Sequence, residues 1–431
     1  MSNVLEKIDK AKWNLTLTLA FVSIAIGFLM WGIITTIGIL VYPQYHNVFY
    51  LIFISAVPLL GDLLLPRLSD ISLGRKTTFF ITMFLYSLGS IIFIINAKFF
   101  SSNIYIMLLA YTLAVIGVEG EVPVALSLIA ELFPLKYREK MLIIIPNFDN
   151  LGAAIASFIA FLTYSISSSF TIEEISMGII ALIGTAFAIV VRLSLPESIR
   201  WLVAKGDLKK ANQEAGKISQ QTEDVQAYDI NRFVSLKWRY TFLVLIGISQ
   251  YLTYGLMAYI IADYYFTGLA LTLVVLYANL GASIAGIIAM ILVDRLGTRN
   301  FATFSYLGGF LTMIPIIIYV MFYSRYIPIF YVLLFFNMMF SEFGWAVRTV
   351  YEPTIMPTKS RAFLVGLVRF PIIAIYTASI YLTSSFAEIQ FLIYNAVLWL
   401  VGAMASIGWH IKGYDINRLP LEKASGEYKK I

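Results

Sequence analysis

Twelve apolar runs, each long enough to cross a hydrocarbon layer about 30 Å thick, fill most of this 431-residue chain. They lie near 14–41, 49–66, 78–96, 104–133, 142–164, 176–194, 240–262, 270–293, 302–322, 328–356, 363–384 and 388–410 (spans one to twelve). Inside a bilayer the backbone must satisfy its own hydrogen bonds, so runs of this length form helices. A composition that is 60% hydrophobic and 13% charged leaves no room for a soluble catalytic domain between them. The sequence therefore predicts an all-α membrane protein with twelve transmembrane helices, six in each half.

Charge sets the orientation. With the N-terminus inside, 27 of the 31 Lys and Arg fall in cytoplasmic segments; Lys98 and Arg325 lie in outside loops, and Arg348 and Arg369 lie within spans. The positive-inside rule then predicts two cytoplasmic termini and a multi-pass protein of the plasma membrane. The net charge of +6 follows from this sidedness, and it points to anionic lipid head groups rather than nucleic acid. The first run is too long for a signal-peptide core and is expected to be retained as a span. The chain has no Cys, and its only imidazoles are His46 and His410, far apart in sequence. No metal or cofactor is expected. No Ser-His-Asp set or phosphate loop is present, so enzymatic activity is not expected either.

The halves are copies. Gly74 and Gly297, Lys76 and Arg299, Pro134 and Pro357, and Arg138 and Arg361 are four pairs, each 223 residues apart. Duplicated hydrophobic units are the mark of a secondary transporter, with its site near the midplane where the repeats meet. The predicted division is a first bundle over 1–195, a cytoplasmic linker over 196–239 with a short amphipathic helix near 209–215, a second bundle over 240–412 and a tail over 413–431.

After span eight, Gly286 precedes Asp294-Arg295-Leu296-Gly297-Thr298-Arg299; after span two, Gly61 precedes Asp70, Gly74, Arg75 and Lys76 with one extra residue between Asp and Gly. This resembles the loop signature of the major facilitator superfamily. Three further stretches are similar to its branch of sugar porters, organic-ion transporters and proton-coupled metabolite symporters: Gly120-Glu121-Val122-Pro123 with Glu131…Arg138, Pro196-Glu197-Ser198-Ile199-Arg200-Trp201-Leu202, and Gly413…Asp415…Leu421-Glu422. The resemblance implies the major facilitator fold and alternating access. It also implies that Arg75, Glu131, Arg138, Glu197 and Arg200 form a cytoplasmic ion-pair network, with Asp294, Arg299, Arg361 and Asp415 doing likewise in the second half. Asp70, Lys76 and Arg295 belong to the same gating set. Thr354 stands where the first half has Glu131, so the second network is expected to be weaker.

Charges at bilayer depth are costly and usually face a cavity or a partner. Glu119, Glu121, Asp149 and Glu342 are the candidate proton sites, and Glu119 and Glu342 share the 223-residue offset. Glu119 and Glu121 project about 200° apart on a helix, so only one can face a central cavity. Asp62 is expected near the cytoplasmic end of span two, within reach of water. Arg348 and Arg369 are candidates for holding an anionic solute through paired hydrogen bonds. Glu352, four residues on, offers Arg348 a local partner, and Asp149 is an alternative partner for Arg369.

Gln250, Tyr251, Tyr254 and Tyr259 complete the candidate substrate set, against a reading as ordinary aromatic packing. The Gln pair expected of sugar porters is reduced to Gln250, and Tyr254-Gly255-Leu256 looks like the organic-ion and metabolite branch. The expected function is transport of a small organic solute, favouring an organic anion or related metabolite, with protons and as a monomer. The alternatives are a sugar, export of cationic aromatic drugs, or a non-transporting receptor.

Overall fold

The computed structural model describes residues 2–45, 47–167, 169–223, 225, 230, 233–323 and 327–427; His46 and Arg325 lie outside the described residues. Among the described residues, ten stretches are long and apolar enough to cross a membrane. Two of them, Val48–Phe99 and Leu269–Tyr323, run to 52 and 55 residues, about twice what one crossing needs. Each breaks at a loop-motif glycine: Gly74 has φ 76° and Gly297 has φ 74°, in the left-handed region that glycine adopts without a Cβ penalty. With both stretches divided there, the bundle has its twelve spans.

Span one is Leu15–Leu40, span two Val48–Ala56 with Pro58–Leu68, span three Gly74–Phe99, span four Ile104–Leu132, span five Arg138–Ile144 with Phe148–Ser167, and span six Phe170–Arg192. Span seven is Leu236–Gly255 continued by Leu256–Ile260 and Ile261–Tyr265. Spans eight and nine are 269–296 and 298–323, followed by Ile327–Thr354, Arg361–Thr383 and Glu388–Lys412. The extra residue beside Asp70 is absorbed as a π-type turn over Ser69–Leu73, which lets span two keep its packing and still meet the glycine.

The halves meet along span two against span eleven, and span five against span eight. At both seams a glycine permits the approach: a Cβ on Gly366 would strike the Asp62 backbone carbonyl, and one on Gly286 would strike the Asn147 side chain. Large apolar side chains such as Ile183, Phe187 and Val190 remain exposed on the outside of the bundle, the surface lipid chains cover. The linker forms Ile199–Ala204 and Leu208–Ile218; the latter buries Ala211, Ala215 and Ile218, one stripe at helical spacing. Ser2–Asp9 and Leu421–Ala424 lie at the same end of the bundle, since Arg200 bonds both Asp9 and Glu422, so that end carries both termini.

Candidate functional site

The end that carries the termini is closed by charge. Glu131, fully buried, accepts from Arg75 Nε at 3.2 Å and Nη2 at 3.1 Å, from Ser198 Oγ at 2.6 Å, and from Arg361 Nη1 at 2.7 Å. Arg75 Nη1 also reaches Asp70 at 2.6 Å. Arg361 is therefore not the centre of a separate second-half network, because Thr354 offers it no carboxylate; it crosses to the first half's acid. Asp70 spans the seam as well, accepting the Phe363 backbone N–H at 2.8 Å, in the first turn of span eleven where exposed amides favour an anion. Asp294 makes the counterpart contact to Lys140, at 2.7 Å, in the first turn of span five. Positions 140 and 363 are themselves 223 apart, so the two contacts are related by the duplication.

The tail joins this layer. Arg200 donates to Asp9 at 2.6 Å and to Glu422 at 2.9 Å, and Arg138 reaches Glu139 and the Leu419 carbonyl, both at 2.7 Å. Arg138 thus binds the tail instead of sharing Glu131. Burial opposes charge on both Arg200 partners. It leaves Asp9 above its ordinary value, while the Arg200 charge and hydrogen bond outweigh it at Glu422 and hold that carboxyl below. Glu197 accepts the Arg75 and Lys76 backbone N–H groups, yet burial keeps it above the usual range. Lys76 Nζ caps the Leu193 carbonyl at 3.0 Å, Asp415 accepts from Thr298 Oγ1 and the Arg299 N–H, and Arg295 is exposed outside these ion pairs.

Deeper in the bundle the acids and arginines sort into pairs. Arg369 donates through Nε to Asp62 at 2.8 Å and through Nη2 to Glu119 at 2.6 Å. Asp62 is completely buried, not wet, because span eleven packs onto its backbone at Gly366. Its pairing also settles the choice left open for Arg369, which goes to Asp62 and Glu119 and not to Asp149. Arg348 pairs with Glu352 at 2.8 Å and donates to Gln250 Oε1 at 2.8 Å. Glu121 turns away from the centre to pair with Arg192 and Thr82, in a space that exists because Gly27 has no side chain there.

Above these pairs lies a cavity between the halves, whose atom-free space is about 860 Å³ with the open solvent at its mouth included, lined by Glu119, Asp149, Glu342, Asn150 and Gln250, with Trp31, Tyr111, Tyr251, Tyr254, Tyr259, Trp345 and Tyr376 among its aromatic walls. Neither Arg348 nor Arg369 belongs to the lining. Both sit behind the aromatic floor: the Arg369 guanidinium lies 5.5 Å from the Trp31 ring and 6.0 Å from Tyr251, and that of Arg348 lies 5.0 Å from Trp345 and 5.9 Å from Tyr251. Arg369 Nη1 and Arg348 Nη2 remain buried without a hydrogen-bond partner.

Two lining acids have no cation among the ion pairs of the described residues. Glu342 Oε2 accepts from Asn150 Nδ2 at 2.7 Å while Oε1 has no partner, and Asp149 accepts the Asn150 backbone N–H at 2.5 Å. Pro146 interrupts span five, so Asp149 sits in the first turn of a new helix at membrane depth. In span seven the π-type turn over Leu256–Ile260 brings Tyr254 and Tyr259 to a 3.1 Å contact. On a regular α-helix two residues five apart point about 140° from each other; i→i+5 bonding stacks them. Tyr259 also meets Thr36 at 3.3 Å, and these two are again 223 apart, so spans one and seven touch at repeat-equivalent positions.

Sequence reasoning missed Trp31, Trp345, Tyr376 and Asn150 in the walls, Asp9 at the termini end and the Arg192 partner of Glu121. Asn150, beside Asp149, and Gly27, opposite an intramembrane acid, were the signals available.

Two related six-helix halves around a central, partly charged cavity define the class of multi-pass membrane transporters. The chain belongs to the Major Facilitator Superfamily, whose family model matches residues 19–370. It is 29% identical over 143 residues to the niacin transporter NiaP of Acinetobacter baylyi, covering 32% of this chain and 30% of that protein. It is 29% identical over 168 residues to monosaccharide-sensing protein 3 of Arabidopsis thaliana, covering 37% and 21%. The matches thus span less than a third of either relative's length. In fold it is similar to the proton:xylose symporter XylE bound to 6-bromo-6-deoxy-D-glucose, with TM-score 0.72, 15% identity and 99% of each chain covered.

Proposed function

We propose that this chain carries a small ring-bearing organic solute, an organic anion or related metabolite, together with protons by alternating access. The observation that carries the reading is the joint presence, around one cavity, of acids without cations and a guanidinium with a donor unused. Asp149 and Glu342 line the cavity without a basic partner, and Arg369 holds a buried, unbonded Nη1 behind the Trp31 and Tyr251 rings. While both acids are ionised they repel an anion. Once they are protonated that repulsion is gone, and the unused Arg369 Nη1 is left to donate to the solute, so proton and anion load together. The aromatic walls supply flat contact for a ring, and Asn150 and Gln250 supply polar contacts to orient it.

In this reading the end that carries the termini is cytoplasmic, and 1–195 and 240–412 are the bodies that rock about the cavity, joined by 196–239. The Glu131–Arg361, Asp70–Phe363 and Lys140–Asp294 contacts are the gate that parts when the cavity opens to the cytoplasm. The protein works as a monomer in the plasma membrane, with lipids on its outer surface. Uptake into proteoliposomes under an imposed pH gradient tests coupling, with faster entry expected when the outside is acid; rates indifferent to the gradient would refute it. The same uncompensated acids favour one other reading, a cationic aromatic solute held by ionised Asp149 and Glu342. A competition panel of aromatic carboxylates, aromatic amines and polyols separates the two: inhibition by amines alone would overturn the anion reading.

A further inference from the structure

At the end of the bundle away from the termini, span seven holds a carboxylate that the cavity chemistry does not use. Asp263 is 7% exposed, and neither of its oxygens has a hydrogen-bond partner. No cation faces it among the described residues. The titratable groups near enough to sense its charge are all tyrosines: Tyr42 beyond span one, Tyr50 in span two, Tyr264 beside it in span seven, and Tyr376 in span eleven. Tyr264 donates at 2.7 Å to the carbonyl of Ile380, and Tyr376 and Ile380 both line the cavity, so Asp263 sits against the cavity wall on this side, where Thr36 of the first half also meets Tyr259 of the second at 3.3 Å.

An ionised carboxylate in such a place, with neither donors nor a counter-charge, costs several kcal/mol. The same group in water costs nothing. Burial of Asp263 therefore belongs with a bound proton, and exposure of Asp263 with its release.

We propose that Asp263 is a proton-binding site of the outer closure: the spans around it close over the cavity only when Asp263 is protonated, and its ionisation holds that side open. The site is separate from Asp149 and Glu342, and its ligand is the proton alone. The inference rests on the alternating-access reading of the protein, yet its readout requires no substrate.

The chain has no Cys, so a single thiol can report closure. Ile39→Cys places one in the cavity wall, and Tyr105→Cys places a reference on the exposed surface. Both are labelled in proteoliposomes with a membrane-impermeant maleimide across a pH series, and the ratio of their rates cancels the titration of the thiol itself. With one proton linked to closure, the ratio rises by up to roughly tenfold per pH unit above the midpoint and is flat below it. Asp263→Asn, isosteric with the protonated acid, should stay slow at every pH. His46→Gln controls for the imidazole that follows Tyr42 by four residues in sequence and should keep the response.

A ratio flat with pH in the parent, an unchanged response in Asp263→Asn, or a response lost in His46→Gln would each overturn the proposal. Infrared difference spectra across the same pH range should contain a protonated-carboxyl band that Asp263→Asn lacks; an identical band in both proteins would also overturn it. A protein that shows the labelling response but never takes up solute would instead sink the transport reading. If sodium at constant pH slows Ile39→Cys as acid does, the site takes metal cations and the assignment to the proton falls.

Discussion

Glu119 and Glu342 occupy the same position in the two repeats, yet the molecule uses them differently. Glu119 is tied to Arg369 at 2.6 Å, with Asp62 on the other side of the guanidinium. Glu342 has only an amide, Asn150 at 2.7 Å, and shares its cavity wall with a second acid, Asp149. Duplication fixes where a carboxylate sits, and the residue opposite decides whether it has a cation for a partner. The termini end teaches the same lesson, since Glu131 in the first half collects two arginines while Thr354 in the second leaves Arg361 to cross the seam.

The sharpest way to break this comparison is to remove the cation from the first half. Arg369→Ala leaves Asp62 and Glu119 buried without their partner, which should cost about 3–5 kcal/mol and abolish uptake. The triple variant with Asp62→Asn and Glu119→Gln should recover most of the stability but not the transport. Thermal unfolding in detergent beside uptake reads both; an Arg369→Ala protein as stable as the parent would show that the cluster is not an ion pair.

A smaller effect separates the two glutamates directly. Glu119→Gln removes one charged partner from Arg369 and should cost about 1–3 kcal/mol. Glu342→Gln keeps an oxygen for Asn150 and should cost under about 1 kcal/mol, while uptake loses its response to a pH gradient. Equal destabilisation in the two variants would mean that the repeats are chemically symmetric after all.

Much of this asymmetry could be seen in the chain before any coordinates. The spans, the glycine breaks and the midplane pair all follow from hydropathy and the 223-residue offset, because these are local or periodic signals. The Arg348–Glu352 pair was legible at helical spacing and the Arg75–Glu131 pair from the loop motifs, but partners that join 62 and 369, 121 and 192, or 131 and 361 were not, because no period reports such contacts. Asp62 was expected to be wet from its place near the end of a span, and only the close approach of Gly366 from span eleven seals it. The meeting of Tyr254 and Tyr259 depends on a π-type turn, which a reading at 3.6 residues per turn cannot find.

Where the repeats are matched, matched results are expected. Ala at Gly74 or Gly297 must hold a left-handed backbone and press a Cβ onto Glu197 or Asp415, so each substitution should cost about 1–2 kcal/mol. Thermal midpoints should fall by similar amounts. A drop at Gly74 alone would locate the structural burden in the first-half network.

The smallest effect concerns the tail, where one arginine serves acids from both ends of the chain. Arg200 holds the Glu422 carboxyl below its ordinary value despite burial, whereas Asp9 beside it stays above. A depressed folded value contributes stability that is complete above the ordinary glutamate pKa, near 4.3, and is lost as pH falls through the folded value. An elevated value acts in the opposite sense, so Asp9 contributes no such loss on acidification. Glu422→Gln should therefore cost about 1 kcal/mol or less at neutral pH and flatten the acid limb of the stability curve, and Asp9→Asn should leave that limb in place. Unfolding midpoints of the three proteins from neutral pH down to the acid limb decide it. If Asp9→Asn flattens the limb and Glu422→Gln does not, the N-terminal helix, and not the tail, is the acid-sensitive hold on Arg200.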